Sequence, residues 1–467
     1  METEKYKSIY KILIVSVSYI SILLMVSCEG FLVVPGPKSK VERASVFDDE
    51  SSANLALIGM YSSMLDPQSF ASGGTNSIST IAGLSSDELK NVPRTDAVSL
   101  EFEENDISAL NSTVLTLWTS LYRTIYMANA GIEGLGNSPA IDQNVISQFE
   151  GECLFIRAFC HFYLVNLFGD VPLVLSTNYE NNSTISRASS GAVYDQIIAD
   201  LIRAQSLMTD NYDGSDRTRA TKGSATALLA RTYLYLEDWQ KAEIEATRII
   251  EDSRYKLTAL DGVFLANSKE TIWQLRPLQV SSTNGYTNEA YFFTPPTINN
   301  YNALNPNIIS NFENNDNRFS KWVGKYQKIY YPHKYKQNSA QAPLTEYSMV
   351  FRVAEQYLIR AEARTKLGKF QGIGSAVSDI DSIRYRAGLN PTTATSQNDL
   401  LLVIENERRN EFFTEWGHRW FDLKRTDRVT TVMSVTKPKW NSQDALYPLP
   451  QAERNKDRNL SPQNPGY

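Results

Sequence analysis

The chain has few of the residues from which metal, thiol and nucleophilic sites are built. It contains only 3 cysteines and 3 histidines among 467 residues. Cys153 and Cys160 fall in one predicted helix, which separates their Cα atoms by about 10 Å and rules out a disulfide between them. His161, His333 and His418 are far apart in sequence and form no pair at metal-ligand spacing. We therefore predict no metal site and interpret both cysteines as core residues.

Sequence motifs of common enzyme classes are also missing. There is no phosphate-binding glycine loop, no G-x-S-x-G turn and no H-E-x-x-H helix. Asp87 with Glu88, and Glu411 with Glu415, are candidate acid and base pairs of a glycosidase. Since Glu411 and Glu415 lie one helical turn apart among several arginines, charge pairing on a helix is the favoured interpretation. We predict a protein that is not an enzyme and has no cofactor.

The overall charge gives no sign of a nucleic-acid partner. The formal net charge is −6, from 46 basic and 52 acidic residues. Proteins that bind nucleic acid present a strongly basic surface, so this mildly acidic balance argues against such a partner.

The N-terminal stretch has the pattern of a bacterial secretion signal. Three lysines precede residues 12–26, which are uncharged and mostly Ile, Leu and Val. This run is shorter than the roughly 20 residues of a membrane-crossing helix. Ser27 and Cys28 follow as a lipidation site, which predicts that residues 1–27 are removed and that acyl chains on Cys28 anchor the protein. An ordinary secretory signal, with Cys28 as an incidental thiol, is the alternative.

Behind this leader we predict a linker and one body. The linker comprises residues 28–47 and includes a Pro-Gly-Pro sequence. The body, residues 48–467, is predicted to have a helical framework at 48–260 and 348–467. Between these two parts, residues 261–347 are predicted to be loops with minor β structure.

Apolar residues recur at three- and four-residue steps along much of the framework, which predicts helices. The stretches concerned are residues 49–65, 114–132, 143–168, 190–208, 222–251 and 353–385. The first of these helices is expected to bury Leu55, Ile58, Tyr61 and Leu65. Residues 70–106 show no sustained period and are rich in Ser, Gly, Asn and Asp, which predicts a long functional loop.

Two of the helical stretches are predicted to fold as tetratricopeptide-like hairpins. In residues 222–251, small alanines lie on both arms around a short turn, which permits close packing of the helices. Residues 353–385 form the second hairpin. The two turns are 131 residues apart, whereas tandem repeats of this kind recur about every 34 residues. We therefore expect the hairpins to be dispersed and separated by other structure.

The region between the hairpins has the most unusual composition. Residues 264–347 contain 15 aromatic side chains in 84 positions, about 18% against 11% for the whole chain, and 13 asparagines. Within it, residues 271–275 (TIWQL) predict a buried strand that includes Trp273, and residues 321–336 alternate as in a β-hairpin. Aromatic rings stack on the apolar faces of sugars while amides and carboxylates bind the hydroxyls, so this composition favours sugar recognition. A buried core is the alternative role for each ring.

The candidate ligand-binding rings share polar neighbours and irregular sequence surroundings. They are Tyr286, Tyr291, Phe292, Trp322, Tyr326, Tyr330 and Tyr331.

Several segments resemble the SusD/RagB family of outer-membrane nutrient-binding lipoproteins. The leader is similar in that Cys28 is followed by Gly30, Phe31 and Leu32. Matching segments then occur in the expected order along nearly the whole chain. They are residues 157–174 (RAFCHFYLVNLFGDVPLV), 224–239, 357–368 (YLIRAEARTKLG), 407–425 (ERRNEFFTEWGHRWFDLKR), 446–451 (LYPLPQ) and 463–467 (QNPGY).

The resemblance implies a mostly helical fold, with tetratricopeptide-like hairpins and a loop-rich ligand face, that sits as a lid on a TonB-dependent transporter of the SusC kind. Ser86, Asp87 and Glu88 resemble a family pattern near that face. Starch-binding members have a tryptophan in the loop corresponding to residues 70–106, and this chain has none there. The candidate replacements are Phe70, Asn91 and Phe102.

The resulting hypothesis is a lipid-anchored receptor on the outer membrane that captures an oligosaccharide and delivers it to a transporter. One alternative is a peptide-binding member of the same family, in which the rings form side-chain pockets. Another is a helical-repeat scaffold that binds only proteins, in which the aromatic region is buried. The sequence names neither the glycan nor the transporter.

Overall fold

The structure is a computed structural model. It describes residues 46–467 apart from positions 93, 213, 215, 278–284, 296–300 and 340–342. It also describes six positions before residue 17. Cys28 and most of the apolar run before it lie outside the described residues. Their predicted cleavage and lipidation stay predictions. Phe47–Tyr467 form one compact unit.

The fold is mostly helical, as predicted. Within the described residues the helices are α1 (Glu50–Ser63), α2 (Ile78–Ser85), α3 (Ala97–Glu104), α4 (Ser112–Leu135), α5 (Gln143–Phe168), α6 (Tyr179–Asn182), α7 (Ser190–Leu207), α8 (Lys222–Tyr235), α9 (Trp239–Ile250), α10 (Asn288–Phe293), α11 (Pro306–Ile309), α12 (Asn317–Trp322), α13 (Val353–Lys366), α14 (Ala376–Arg386), α15 (Gln397–Phe412), α16 (His418–Arg425), α17 (Val429–Thr436) and α18 (Gln451–Lys456). Short 3-10 turns occur at Leu260–Gly262, Ser442–Ala445 and Arg458–Leu460.

The strands are short and pair in antiparallel twos. They are β1 (Leu89–Val92), β2 (Val171–Pro172), β3 (Arg187–Ala188), β4 (Thr271–Leu275), β5 (Tyr301–Leu304), β6 (Val323–Tyr326), β7 (Ile329–Pro332) and β8 (Ser348–Arg352). The pairs are β1 with β5, β2 with β3, β4 with β8, and β6 with β7. The predicted hairpin in residues 321–336 is therefore confirmed as β6 and β7, and the predicted buried strand as β4, in which all five residues are buried.

Helix α5 forms much of the core. It begins after Asp142, whose side chain accepts a hydrogen bond from the backbone N–H of Asn144, and it ends at Gly169, whose φ of 73° no β-branched residue adopts easily. Residues 151–165 are all buried. By length and hydropathy alone α5 is the one described helix able to cross a membrane, but 94% of that window is buried inside the protein, which identifies it as a core helix.

Aromatic rings fix strands β4 and β8 against α5. The ring of Trp273 on β4 lies 4.9 Å from that of Phe155 and 5.1 Å from that of Phe159, both in edge-to-face arrangements. Phe351 on β8 packs against the same two rings. Such pairs contribute about 0.5–1.5 kcal/mol each beyond the burial of their area. Both cysteines of α5 are free and buried, as predicted.

The two helical hairpins are separated along the chain by other structure, as predicted, but they are adjacent in space. Helices α4, α5, α7, α8, α9, α13, α14 and α15 pack each against the next, and α9 of the first hairpin contacts α13 of the second directly. The residues between the hairpins form an excursion that leaves the helical series after α9 and returns to it at α13. Sequence spacing separates the hairpins, but the chain brings them back into contact.

Two local predictions also need correction. Residues 70–106 are not an open loop, since they include α2, β1 and α3, and every residue of α2 is buried. Helix α1 buries Ala53, Leu57, Met60 and Tyr61, whereas Leu55 and Ile58 are 65% and 44% exposed. Of the four residues expected to be buried, Tyr61 and Leu65 are buried, whereas Leu55 and Ile58 lie on the exposed side of the helix.

A network of buried charges connects the excursion to the C-terminal helices. Its ten side chains are each at most 9% exposed, and five are basic and five acidic. The basic members are Arg318, Lys334, Arg352, Arg384 and Arg386, and the acidic members are Glu270, Asp316, Glu407, Glu411 and Glu415. We refer to these ten residues as the charge network.

Glu411 lies at the centre of the charge network. Its carboxylate accepts hydrogen bonds from Arg318 of α12, Arg352 of β8 and Arg386 of α14. Although burial alone favours the protonated acid, these three guanidinium groups hold the pKa of Glu411 below its usual value. The predicted charge pairing of Glu411 is thus confirmed in kind, but its partners come from other elements rather than from its own helix.

We expect Glu411→Gln to destabilise the fold strongly, because it leaves three buried guanidinium groups with one negative charge fewer. The loss in the free energy of unfolding should be about 3–5 kcal/mol, measured by urea denaturation. Glu405→Gln is the control, since Glu405 is 23% exposed and pairs with Arg419 and Arg428; its loss should stay within about 1 kcal/mol. Similar small losses for both variants would contradict the central place of Glu411.

Candidate functional site

Three of the predicted rings form a half-buried cluster at α10. Tyr286 and Tyr291 stack with ring centroids 5.0 Å apart, and Phe292 meets Tyr291 edge to face at 5.3 Å. Phe292 lies over Gly74, where an added Cβ would stand 3.1 Å from the ring. Three of the rings singled out from the sequence are therefore in contact with one another, and we call them the α10 rings.

The β6–β7 hairpin carries three more of the predicted rings. Tyr326, Tyr330 and Tyr331 are all half-buried. Tyr331 lies directly across from Gly324, where a Cβ would stand 2.2 Å from the ring carbon Cζ, so only glycine fits opposite it. The ammonium group of Lys325 lies 5.3 Å from the centroid of the Tyr330 ring.

A groove of about 280 Å³ runs between the hairpin and its neighbours. The hairpin, β1, β5 and α11 supply its lining residues, which are Lys90, Leu304, Pro306, Ile309, Ser310, Lys328, Ile329 and Tyr330. Strand β5 contacts both β7 and α10. The groove and the α10 rings are therefore joined through β5, and we call this surface the β5 face.

Not all of the predicted rings reach this face. Phe70, Phe102 and Trp322 are each 0% exposed. Phe70 packs on Phe159, Phe102 on Tyr447, and Trp322 donates its indole N–H to the Leu260 carbonyl at 3.1 Å. A ring with no exposed surface offers nothing for a ligand to stack on, so we correct the prediction for these three and assign them to the core.

Asp87 and Glu88 are interior as well. Asp87 is 2% exposed and forms ion pairs with Arg409 and Arg419. Glu88 is 1% exposed and accepts a hydrogen bond from the backbone N–H of Thr414 at 3.1 Å. We therefore correct their predicted ligand contact. These carboxylates join the segment before β1 to the end of α15, directly behind the β5 face.

Burial raises the pKa of Glu88 to about 8, and the neighbouring charge of Asp87 adds to this effect. The Thr414 N–H and the more distant Lys334 and Arg419 act in the opposite direction. One carboxyl oxygen, Oε1, has no hydrogen-bond partner within the described part of the chain. Glu88 is thus a neutral acid at pH 7, held inside the protein.

Asn91 is buried on β1, opposite Asn302 of β5. Its backbone N–H donates to Glu103 at 2.8 Å. The side-chain oxygens of both asparagines are buried and find no hydrogen-bond partner among the residues that the structure describes. This cross-strand pair lies beneath the β5 face, so the predicted direct contact of Asn91 with a ligand is not supported by its 4% exposure.

Neither candidate pair of carboxylates is arranged for glycoside hydrolysis. Glu411 and Glu415 bind arginines of the charge network, and Glu415 also binds Lys334. All four acids are at most 6% exposed. No cluster of histidine, cysteine and acidic residues in the described ranges has the geometry to hold a metal ion.

Sequence reasoning missed much of the groove lining. Lys90, Pro306, Ile309 and Lys328 were not singled out, because nothing in the local pattern places β1 and α11 beside the hairpin. A signal was nevertheless present for Lys328, which lies between Tyr326 and Tyr330 in the alternating stretch.

Comparison with protein families gives two matches that together extend along most of the chain. A SusD-like family described as "Starch-binding associating with outer membrane" matches residues 49–234. The SusD family matches residues 298–467. A protein from Formosa agariphila named "SusD-like protein P2" is 28% identical over 419 residues, which is 76% of this chain and 81% of that relative.

Solved structures show the same fold. A SusD superfamily protein from Bacteroides vulgatus has a TM-score of 0.78 at 21% identity and covers 90% of this chain and 100% of its own. A "Laminarin binding SusD-like protein" has a TM-score of 0.75 at 25% identity, with the same coverage.

The buried acid behind the β5 face predicts a specific pH dependence. Because the pKa of Glu88 is higher in the folded protein than its ordinary 4.5, the folded state binds this proton more tightly, and the associated stability is lost as pH rises from about 4.5 through 8. Glu88→Gln should remove this loss. Its free energy of unfolding should fall less than that of the wild type between pH 5 and 8, by on the order of 3 kcal/mol. Parallel pH profiles from chemical denaturation would contradict the neutral buried acid.

Proposed function

The chain belongs to the SusD/RagB family, and on that premise we propose that it is a cell-surface glycan-binding lipoprotein that delivers oligosaccharides to a TonB-dependent outer-membrane transporter. The observation that carries the proposal is the β5 face, whose half-buried rings belong to α10 and to the hairpin, two elements that both contact strand β5. The family itself is described by starch binding and association with the outer membrane.

The chemistry of the β5 face suits sugars. Half-buried tyrosines present a ring face for stacking and a hydroxyl for hydrogen bonding, while they lose little side-chain freedom on binding. The similar structure named for laminarin binding supports a polysaccharide fragment as the ligand. The absence of a tryptophan from residues 70–106 favours a glycan other than starch.

Rigid support behind the face favours capture by a preformed surface. The hairpin is held by Lys334, which follows β7 and donates to the Glu411 carbonyl at 2.7 Å. It is preceded by α12, whose Arg318 lies within the charge network. A preformed site avoids the cost of ordering loops when the ligand binds.

The proposal gives the protein no chemical step of its own. Binding and release suffice for delivery. Of the candidate acids, Asp87, Glu411 and Glu415 form buried ion pairs, and Glu88 is buried. In this proposal acyl chains on Cys28 hold the protein at the outer membrane, and residues 28–47 tether the single body formed by residues 48–467. A SusC-like transporter then receives the glycan.

We expect Tyr291→Ala combined with Tyr330→Ala to lower the affinity for the cognate oligosaccharide at least tenfold, which corresponds to about 1.4 kcal/mol. The change removes one ring from α10 and one from the hairpin. Isothermal titration calorimetry against a panel of laminarin, other glycan oligosaccharides and peptides would measure it. Both rings are half-buried, so the melting temperature should change little.

The matched control is Tyr179→Ala, which removes a 76% exposed ring on α6. It should bind as the wild type does. Binding of peptides but of no glycan would support a peptide receptor instead, and a double variant with unchanged affinity would remove the β5 face from the proposal. Release of products from any glycan on long incubation would indicate a hydrolase.

The anchor is testable separately. Cys28→Ala should move the protein from the membrane fraction to the periplasmic or secreted fraction, because the acceptor of the acyl chains is lost. Cell fractionation and labelling with a palmitate analogue would measure this change. Cys153→Ala, at a buried cysteine of α5, is the control and should leave the protein in the membrane fraction. Membrane retention of unlabelled Cys28→Ala protein would contradict lipid anchoring at this residue.

A further inference from the structure

Residues 321–336, which include the β6–β7 hairpin, contain five lysines that differ in how their charges are compensated. Lys334 is buried and paired with Glu415, while Lys321 and Lys336 both pair with Asp261. Lys325 and Lys328 are exposed, and neither forms an ion pair among the described residues. The two uncompensated charges lie at and next to the turn between β6 and β7, where Lys328 lines the groove.

A third lysine without an ion pair lies on another strand. Lys90 of β1 is half-buried, lines the same groove and likewise has no ion pair in the described part of the chain. The acids that precede it, Asp87 and Glu88, do not neutralise it. Asp87 already forms ion pairs with two arginines, and the raised pKa of Glu88 leaves that carboxyl group uncharged at neutral pH.

None of the described residues that line the groove is acidic. This local excess of positive charge stands out in a protein whose formal net charge is −6. A cleft lined by charges of one sign attracts ligands of the opposite charge and raises their local concentration.

The remainder of the groove is suited to a sugar ring. Tyr330 contributes an aromatic ring to the lining, and Leu304, Ile309 and Ile329 provide an apolar wall. The volume of about 280 Å³ is near the lower end of small-ligand pockets, which suits one short segment of a longer chain. The groove thus combines a stacking ring and apolar contacts with two ammonium groups.

We propose that the groove between β1 and the β6–β7 hairpin binds an anionic glycan, in which Lys90 and Lys328 pair with carboxylate or sulfate groups while a sugar ring stacks on Tyr330. This inference rests on the proposed function and specifies the class of its ligand. Lysine ammonium groups recognise such anions as point charges. Lys325, whose ammonium group lies 5.3 Å from the Tyr330 ring centroid, adds to the positive field.

The decisive test compares ligands that share a sugar backbone and differ only in charge. Oligogalacturonate is measured against its methyl ester, and a sulfated galactan oligosaccharide against its desulfated form, by titration calorimetry with the full-length mature protein. We expect at least tenfold tighter binding of one charged form over its neutral partner. The pair that shows the difference identifies carboxylate or sulfate as the recognised group. The preference should shrink as salt rises from 20 to 300 mM, because screening weakens exposed charge pairs.

Lys90→Gln combined with Lys328→Gln should reduce the ratio of charged to neutral affinity toward one. Lys456→Gln on α18, where the lysine is 72% exposed, is the control and should keep the ratio of the wild type. Circular dichroism confirms that each variant is folded.

Equal affinity for charged and neutral partners, with no effect of the lysine substitutions, would overturn the anionic class while leaving glycan binding intact. An acidic oligopeptide that binds more tightly than any glycan would overturn the saccharide as occupant. Failure of every glycan to bind would instead refute the proposed function itself.

Discussion

The charge network is the constraint on which the rest of the structure depends. Ten buried side chains of balanced sign join α12, the ends of β7 and β8, and helices α14 and α15. Buried charges are expensive unless each finds a partner, so the network is satisfied only when all of these elements are in place. We infer that the charge network holds the excursion, the chain between the two helical hairpins, in a single position.

This constraint has a direct consequence for the β5 face. The hairpin borders the network through Trp322 and Lys334, and the Lys334 ammonium lies 4.0 Å from the ring centroid of Phe413. Strand β5 pairs with β1, whose preceding acids Asp87 and Glu88 contact the residues that close α15 and begin α16. Buried polar groups thus hold both the hairpin and the segment before β1 to the C-terminal helices.

Sequence patterns predicted the helices closely because their cause is local. Residues 143–168 were predicted as one helix and form α5 with those bounds, since an apolar stripe and clear end signals specify it. Which rings are exposed depends instead on long-range packing. Trp322 and Tyr326 have similar sequence surroundings, yet the first is buried against Leu260 and the second is half-exposed. The partners of Glu411 are likewise distant in sequence, and no local pattern names them.

Capture on the β5 face is the central claim, and a crystal structure of the protein soaked with its tightest-binding oligosaccharide tests it most directly. The account predicts electron density for sugar in the groove beside Tyr330, within contact distance of Lys90 and Lys328, with the hairpin unmoved. Sugar bound elsewhere on the protein, or a hairpin displaced on binding, would contradict it.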